Sequence, residues 1–226
     1  MWLALDTATD QASVAVGGPG WCAAEERIIG ARRHAVALLP TIQTVLGSAG
    51  TTLAAVEGII LADGPGSFTG LRVGVAVAKA LVRGHPVRLW SAPSLLAVAR
   101  EAGAKEEGTI LAVSDALRGD LYAAAYRFRP GVIETLLRPT VIPVAMVRER
   151  VPSPVQIVGP AAALLGGEVS WPRASALLSL IGVAGGARAV ADPASWEPVY
   201  GRPAEAQVQW ELTHGRALEL PARRPG

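Results

Sequence analysis

From Trp2 the chain runs apolar to Asp6 ("WLALD"), turns at "TATD" and resumes as "QASVAVG", which predicts a β-hairpin over residues 2–17. "WCAAEERII" alternates well enough to add a third antiparallel strand. The period then changes. In "HAVALLPTIQTVLGSAG", Ala35, Leu38, Leu39, Ile42, Val45 and Leu46 fall on one helical face, with Pro40 either opening the helix or kinking it. "EGIILAD" is short and wholly apolar, the pattern of a strand covered on both faces and parallel to its neighbour. "TGLRVGVAVAKALVRG" predicts a second helix with Thr69 as N-cap and Gly84 as its stop. "PVRLW" and "APSLLAVAREAG" follow as strand and helix.

The second half starts over. "TILAVSDALRGDLYAAAYRF" is an apolar strand ending at Asp115, a turn at Leu117–Gly119 and a returning strand. Each half thus opens on a hairpin whose first strand ends in aspartate, a weak repeat spaced by about 110 residues. Two similar α/β units are expected, 1–105 and 106–226, meeting in the charged "GAKEEG", with part of the C-terminal tail packing back on the first. "RVPSPVQ" separates later pieces, and "ASALLSLIGVAGGARAVAD" predicts a last long, buried helix.

Composition narrows the class. Half of the 226 residues are hydrophobic and mean hydropathy is +0.34, so a sizeable core forms. The most apolar run, Ala174 to Val190, is broken by Gly182, Gly185, Gly186 and Arg188, which argues against a membrane span. No basic leader with a cleavage site opens the sequence and Cys22 is the single cysteine, so a soluble, cytoplasmic protein without disulfides is expected. With 21 basic and 19 acidic side chains the net charge of +2 makes no footprint for nucleic acid. Only Lys79 and Lys105 are lysines, which points to codon bias, and the basic tail "PARRPG" is expected to fray.

Two places carry candidate chemistry. Asp6 with Thr7 and Thr9, and Asp115 with Gly119, sit at hairpin turns where backbone N–H groups can wrap phosphates and carboxylates can hold a metal or water. The same residues are also ordinary turn formers, and sequence leaves both readings open. The loop Gly64, Pro65, Gly66, Ser67, Phe68, Thr69, Gly70 leads from a buried strand into a helix N-terminus, a place that favours anions, but it is not a Walker motif because Leu71 and Arg72 follow Gly70. Gly70, Gly74 and Ala78 form a smooth stripe on that helix, suited to close approach by its own sheet or by another subunit. Groups that could drive a reaction are scarce. His34, His85 and His214 make no metal-binding pair, "GPGSFTG" is not a nucleophile elbow, and Glu25–Glu26 and Glu106–Glu107 read as solvated surface.

"LALDTAT", "RRHAVALLPTIQTVL", "GPGSFTGLRVGVAVAKAL", "SDALRGDLYAAAY" and "EPVYGRPAEA" together resemble the TsaB (YeaZ) family. The match runs in order through residue 127 and returns near 197–206, while 130–195 matches loosely. The resemblance implies the actin-like ATPase (ASKHA) fold, an α/β architecture of two related halves with central mixed sheets. It implies a non-catalytic scaffold that pairs with a TsaD-like catalytic subunit, is joined by a TsaE-like ATPase, and supports threonylcarbamoylation of adenosine 37 in tRNAs reading ANN codons. Trp90 and Ser94 stand where the catalytic paralogue carries metal-binding histidines, so no metal and no cofactor of its own are expected, with ATP or ADP only within the complex. A homodimer forms when it is alone, and tRNA is met only through the complex.

The resemblance places the partner interface on two helices, at His34, Leu38, Ile42, Val45, Gly70, Arg72, Val73, Gly74, Val77 and Ala78. A bulky residue at Gly74 is then expected to abolish pairing and leave a folded monomer. The glycine loop becomes a phosphate loop kept for architecture. The competing readings are a stand-alone ATPase or phosphotransferase using Asp6 and Asp115 with Mg²⁺, and, last, a peptidase.

Overall fold

A computed structural model describes residues 1–30, 33–103, 108–151, 156–202 and 213–214. Residues 104–107 at the expected boundary, with Glu106–Glu107, the centre of "RVPSPVQ", the end of "EPVYGRPAEA" and the "PARRPG" tail lie outside the described residues.

The first half is built from β1 (Trp2–Asp6), β2 (Gln11–Gly18), β3 (Trp21–Ile29), α1 (His34–Ser48), β4 (Gly58–Ala62), α2 (Phe68–Gly84), β5 (Arg88–Ala92) and α3 (Ser94–Gly103). The second contains β6 (Thr109–Asp115), β7 (Asp120–Arg129), β8 (Val132–Pro143), α4 (Val147–Arg150), β9 (Gln156–Gly159), β10 (Glu168–Val169), α5 (Ala174–Leu178) and β11 (Arg188–Ala189). One sheet has the order β11-β5-β4-β1-β2-β3 and the other β10-β9-β6-β7-β8. In both, the opening hairpin is antiparallel and the strand on its far side is parallel, β4 beside β1 and β9 beside β6. The repeat is therefore a repeat of topology. The second copy has shrunk: where the first carries α1 and α2, the second has the four-residue α4 and a short 3₁₀ turn at Ala162–Leu165.

Alternation along the strands divides the apolar residues into three layers. Leu3 and Leu5 of β1 face outward with Leu38 and Ile42 of α1 and Val75 and Ala78 of α2. Trp2 and Ala4 face the middle layer, where α5 brings Leu177 and Leu178 to the first sheet and α3 brings Leu95 and Leu96 toward the second, whose Ala124 and Tyr126 of β7 belong to the same cluster. Leu111, Val113 and Leu121 face the third layer. The period of two sends neighbouring residues to opposite faces, so β1, β4 and β6 are buried almost throughout.

Four local expectations are corrected. Pro40 lies inside α1 and does not open it, because Leu38, Ile42, Val45 and Leu46 hold the helix to the sheet on both sides of the missing N–H. Ala35 and Leu39 face solvent instead of the core. The N-cap of α2 is Ser67, whose Oγ accepts from the Gly70 N–H at 3.2 Å, so the helix starts before Thr69. The long helix expected from Ala174 is only α5, five residues. Gly182 and Gly185 adopt φ of 78° and 76°, and the chain turns there to deliver β11 antiparallel to β5 in the first sheet. Among the described residues no helix is long and apolar enough to cross a membrane.

Candidate functional site

The two hairpin turns, Ala8–Asp10 and Ser114–Arg118, face each other across a cleft of about 620 Å³ whose wall includes Gly66–Thr69. Of the predicted nucleotide residues, Thr9 and Asp115 line it, while Asp6, Thr7 and Gly119 do not.

Asp6 is wholly buried behind the turn. Its Oδ1 accepts the Ala8 N–H at 2.9 Å, and Oδ2 has no hydrogen-bond partner among the described residues. Burial pushes its pKa up to about 7 against the opposing pull of that N–H. Thr9 Oγ1 donates to the Gln11 carbonyl at 2.8 Å and accepts its N–H at 3.3 Å, so the hydroxyl holds the turn. Across the cleft, exposed Asp115 accepts the Leu117 N–H at 2.7 Å. Leu117, Arg118 and Gly119 are all left-handed, with φ of 63°, 59° and 79°. The carboxylate at the end of each first strand thus does the same local job, bonding an amide two residues on.

The glycine loop is packed, not open. Ser67 N–H donates to the Ala8 carbonyl at 2.7 Å, Gly64 N–H to Ser94 Oγ at 3.1 Å, and Gly70 N–H to Ser67 Oγ. A Cβ at Gly66 would lie 2.2 Å from the Ala8 carbonyl oxygen, and one at Gly70 would lie 2.1 Å from that of Thr7. The glycines let α2 rest directly on the first hairpin turn. Three of the loop's amides are thereby engaged within the chain, and Ser94, expected at a lost metal position, bonds the loop.

The stripe on α2 faces the same way. A Cβ at Gly74 would stand 2.4 Å from Thr7 Oγ1 and 3.2 Å from Leu61 Cδ1, and Ala78 is fully buried. A leucine at Gly74 would therefore disturb the fold, and the expected folded monomer does not follow. His34, Leu38, Ile42 and Val45 are likewise buried on the inner side of α1. The apolar stripe visible in a helix's sequence is the one that holds it to its own sheet. What the two helices turn outward is different: Val36 (75% exposed) and Leu39 (53%) on α1, and on α2 exposed Arg72, while half-buried Val73 and Val77 pack their inner parts against the core. Arg72 lies over the Phe68 ring at 5.4 Å.

Sequence reasoning expected part of the tail to pack back on the first half and missed that residues 197–202 form a strap crossing between both lobes. Val199 N–H donates to the Asp63 carbonyl at 2.7 Å. The Tyr200 ring packs on Phe68 with centroids 4.6 Å apart, its carbonyl accepts from the Tyr122 hydroxyl at 3.3 Å, and Arg202 pairs with Asp120. Gly201, at φ 75°, passes between Tyr122 and Pro65 where a Cβ would sit 2.6 Å from the tyrosine ring. Glu25 was also misread. Its side chain is 8% exposed and pairs with Arg173, and it accepts the Ser175 N–H at 2.9 Å, joining β3 to the start of α5. Among the described residues no group of three or more His, Cys, Asp or Glu is placed to hold a metal ion.

Comparison with known proteins agrees with this architecture. The family model described as "TsaD: tRNA N6-adenosine threonylcarbamoyltransferase" matches residues 28–191. The tRNA threonylcarbamoyladenosine biosynthesis protein TsaB of Escherichia coli is 34% identical over 147 residues, covering 62% of this chain and 63% of that one. The Bacillus subtilis protein of the same name is 29% identical over 135 residues, 60% of this chain and 58% of its own. The alignments thus span about three-fifths of those relatives' length. A Pseudomonas aeruginosa structure described as an uncharacterized protein with similarity to peptidase YeaZ superposes with a TM-score of 0.76 at 28% identity, covering 89% of this chain and 99% of the other. YeaZ from Pseudomonas aeruginosa gives 0.71 at 28% identity, covering 80% and 90%. With two topologically repeated mixed sheets and these matches in sequence and structure, the chain belongs to the TsaD family of ASKHA-like folds, on its TsaB/YeaZ branch.

Proposed function

We propose that this protein is a non-catalytic scaffold of tRNA N6-threonylcarbamoyladenosine formation. It pairs with a TsaD-like catalytic subunit through the outward sides of α1 and α2, is joined by a TsaE-like ATPase, and meets tRNA only through the complex. The observation that carries the reading is the contrast between these helices' two sides. Their inner residues are committed to the core, while α1 exposes apolar Val36 and Leu39 and α2, packed against α1, exposes Arg72. Exposed apolar side chains and an arginine on two touching helices are the residue types enriched at interfaces. The cleft supports the same reading, because its Thr9 and Ser67 use their polar groups within the chain. A nucleotide in the assembled complex would bind with help from the partner, and this chain carries no cofactor of its own.

Leu39→Asp tests the surface. The variant keeps its melting temperature and loses co-elution with the TsaD-like subunit in size-exclusion chromatography; unchanged co-elution refutes the assignment. A second reading, a stand-alone ATPase, is favoured by the cleft between two aspartate-bearing turns. It requires ATP turnover by the purified chain that disappears in Asp115→Ala.

A further inference from the structure

We propose that a second cavity, on the other side of the strap from the hairpin cleft, binds a small organic anion. The cavity measures about 500 Å³ and is lined from both lobes, by Asp63 and Pro93 of the first and by Tyr126 and Arg138 of the second, with Arg188 and Val199 completing it. Neighbouring strap residues separate the two spaces: Val199 lines this one and Tyr200 the hairpin cleft.

Its polar groups are unequally satisfied. Asp63, 1% exposed, is paired with Arg188 at 2.6 Å. Arg138 is exposed and makes no hydrogen bond or ion pair with any described residue. Tyr126 is 1% exposed, and its hydroxyl has no hydrogen-bond partner among the described residues. A buried tyrosine hydroxyl ordinarily finds an acceptor, as that of Tyr122 does on the strap. With Asp63 and Arg188 engaged with each other, the lining includes one unengaged cation, Arg138, and one tyrosine whose buried hydroxyl lacks a partner among the described residues. Their complement is an oxyanion that takes charge-assisted bonds from Arg138 and accepts from Tyr126. The remaining wall is mostly apolar, with Pro65, Pro93, Leu96, Pro139 and Val199 beside glycines and Thr135. It fits a short hydrocarbon or ring body carrying a carboxylate or phosphate head, in a cavity of ordinary ligand-site size.

The test is an amide-resolved NMR titration of the full chain with benzoate, phenyl phosphate, inorganic phosphate and the neutral isostere benzamide. Benzoate or phenyl phosphate shifts the amides of Gly64, Tyr126 and Gly186 saturably, with a Kd of about 1 mM. Arg138→Ala weakens this roughly tenfold and Tyr126→Phe several-fold. Arg138 is exposed, and the Phe variant removes only an unpartnered hydroxyl, so both variants fold. Whichever of the two organic anions binds tighter assigns the head group. The proposal is overturned by absence of saturable shifts to about 20 mM, by benzamide binding as well as benzoate, by inorganic phosphate matching phenyl phosphate, or by Arg138→Ala leaving affinity unchanged.

Discussion

Replacing Gly70 with alanine separates two roles open to the small residues of α2, since a stripe reserved for a partner would tolerate a methyl group in the isolated chain. The added Cβ would lie 2.1 Å from the Thr7 carbonyl oxygen and 3.3 Å from Ser67 Oγ. The first neighbour is backbone in a buried turn and cannot swing aside. Against this, alanine gains about 1 kcal/mol in helix propensity over glycine. Overpacking a tight site costs about 1–3 kcal/mol, and a backbone contact lies at the upper end. The net loss is about 2 kcal/mol, which for a chain of this length lowers Tm by about 4–8 °C. Gly47 on α1 is the matched control, because a Cβ there has nothing within 4 Å. Gly47→Ala raises Tm by up to about 4 °C. Calorimetry of the two variants without any partner measures both signs. A Gly70→Ala protein as stable as the parent would refute the direct packing of α2 on the first hairpin turn.

Asp6 gives a pH signature. Burial raises its folded pKa to about 7 from an ordinary value of 3.8, so between those values the folded state holds the extra proton. Stability therefore falls as pH rises from 4 to 7 and levels off above. Asp6→Asn removes this component, and the difference in urea stability between variant and parent grows across that window by a few kcal/mol; a constant difference contradicts the burial of the ionisable carboxyl. Glu25→Ala leaves the Ser175 N–H without its acceptor and Arg173 with Glu101 alone, and lowers stability by about 1–3 kcal/mol in denaturant melts. A solvated Glu25 would cost nothing measurable. Tyr200→Ala loses its ring contact with Phe68 and weakens the strap by about 1 kcal/mol, seen as faster amide exchange at Val199, whose protection otherwise stays unchanged.

The parts of this fold legible in sequence are those fixed by short-range pattern. The hairpin of β1 and β2 and that of β6 and β7 each announce themselves through an apolar strand, a terminal aspartate and turn residues, and both aspartates bond an amide two residues on. β4 is legible because a strand covered on both faces has no polar alternation. The errors arise where distant partners decide. Glu25 looks solvated beside Glu26, yet its partners Arg173 and Ser175 arrive from about 150 residues away. The stretch after Ala174 is apolar enough for a helix, but Gly182 and Gly185 take left-handed φ and the chain leaves to join the first sheet. At the candidate site, the sequence locates the loops and offers the architectural use of the glycine loop, but not the faces that α1 and α2 leave exposed. The periodic positions of α1 and α2 mark inner faces, so the outward Val36 carries no periodic signal. The strap depends on contacts to Asp63, Phe68, Asp120 and Tyr122 that no local pattern encodes.

The most direct test of the scaffold reading is reconstitution with TsaD-like and TsaE-like proteins from the same organism, threonylcarbamoyl-adenylate and unmodified tRNA. Threonylcarbamoyladenosine is then quantified with the parent chain, with Leu39→Asp and with no addition. The account predicts product with the parent alone. Equal product without the chain contradicts it.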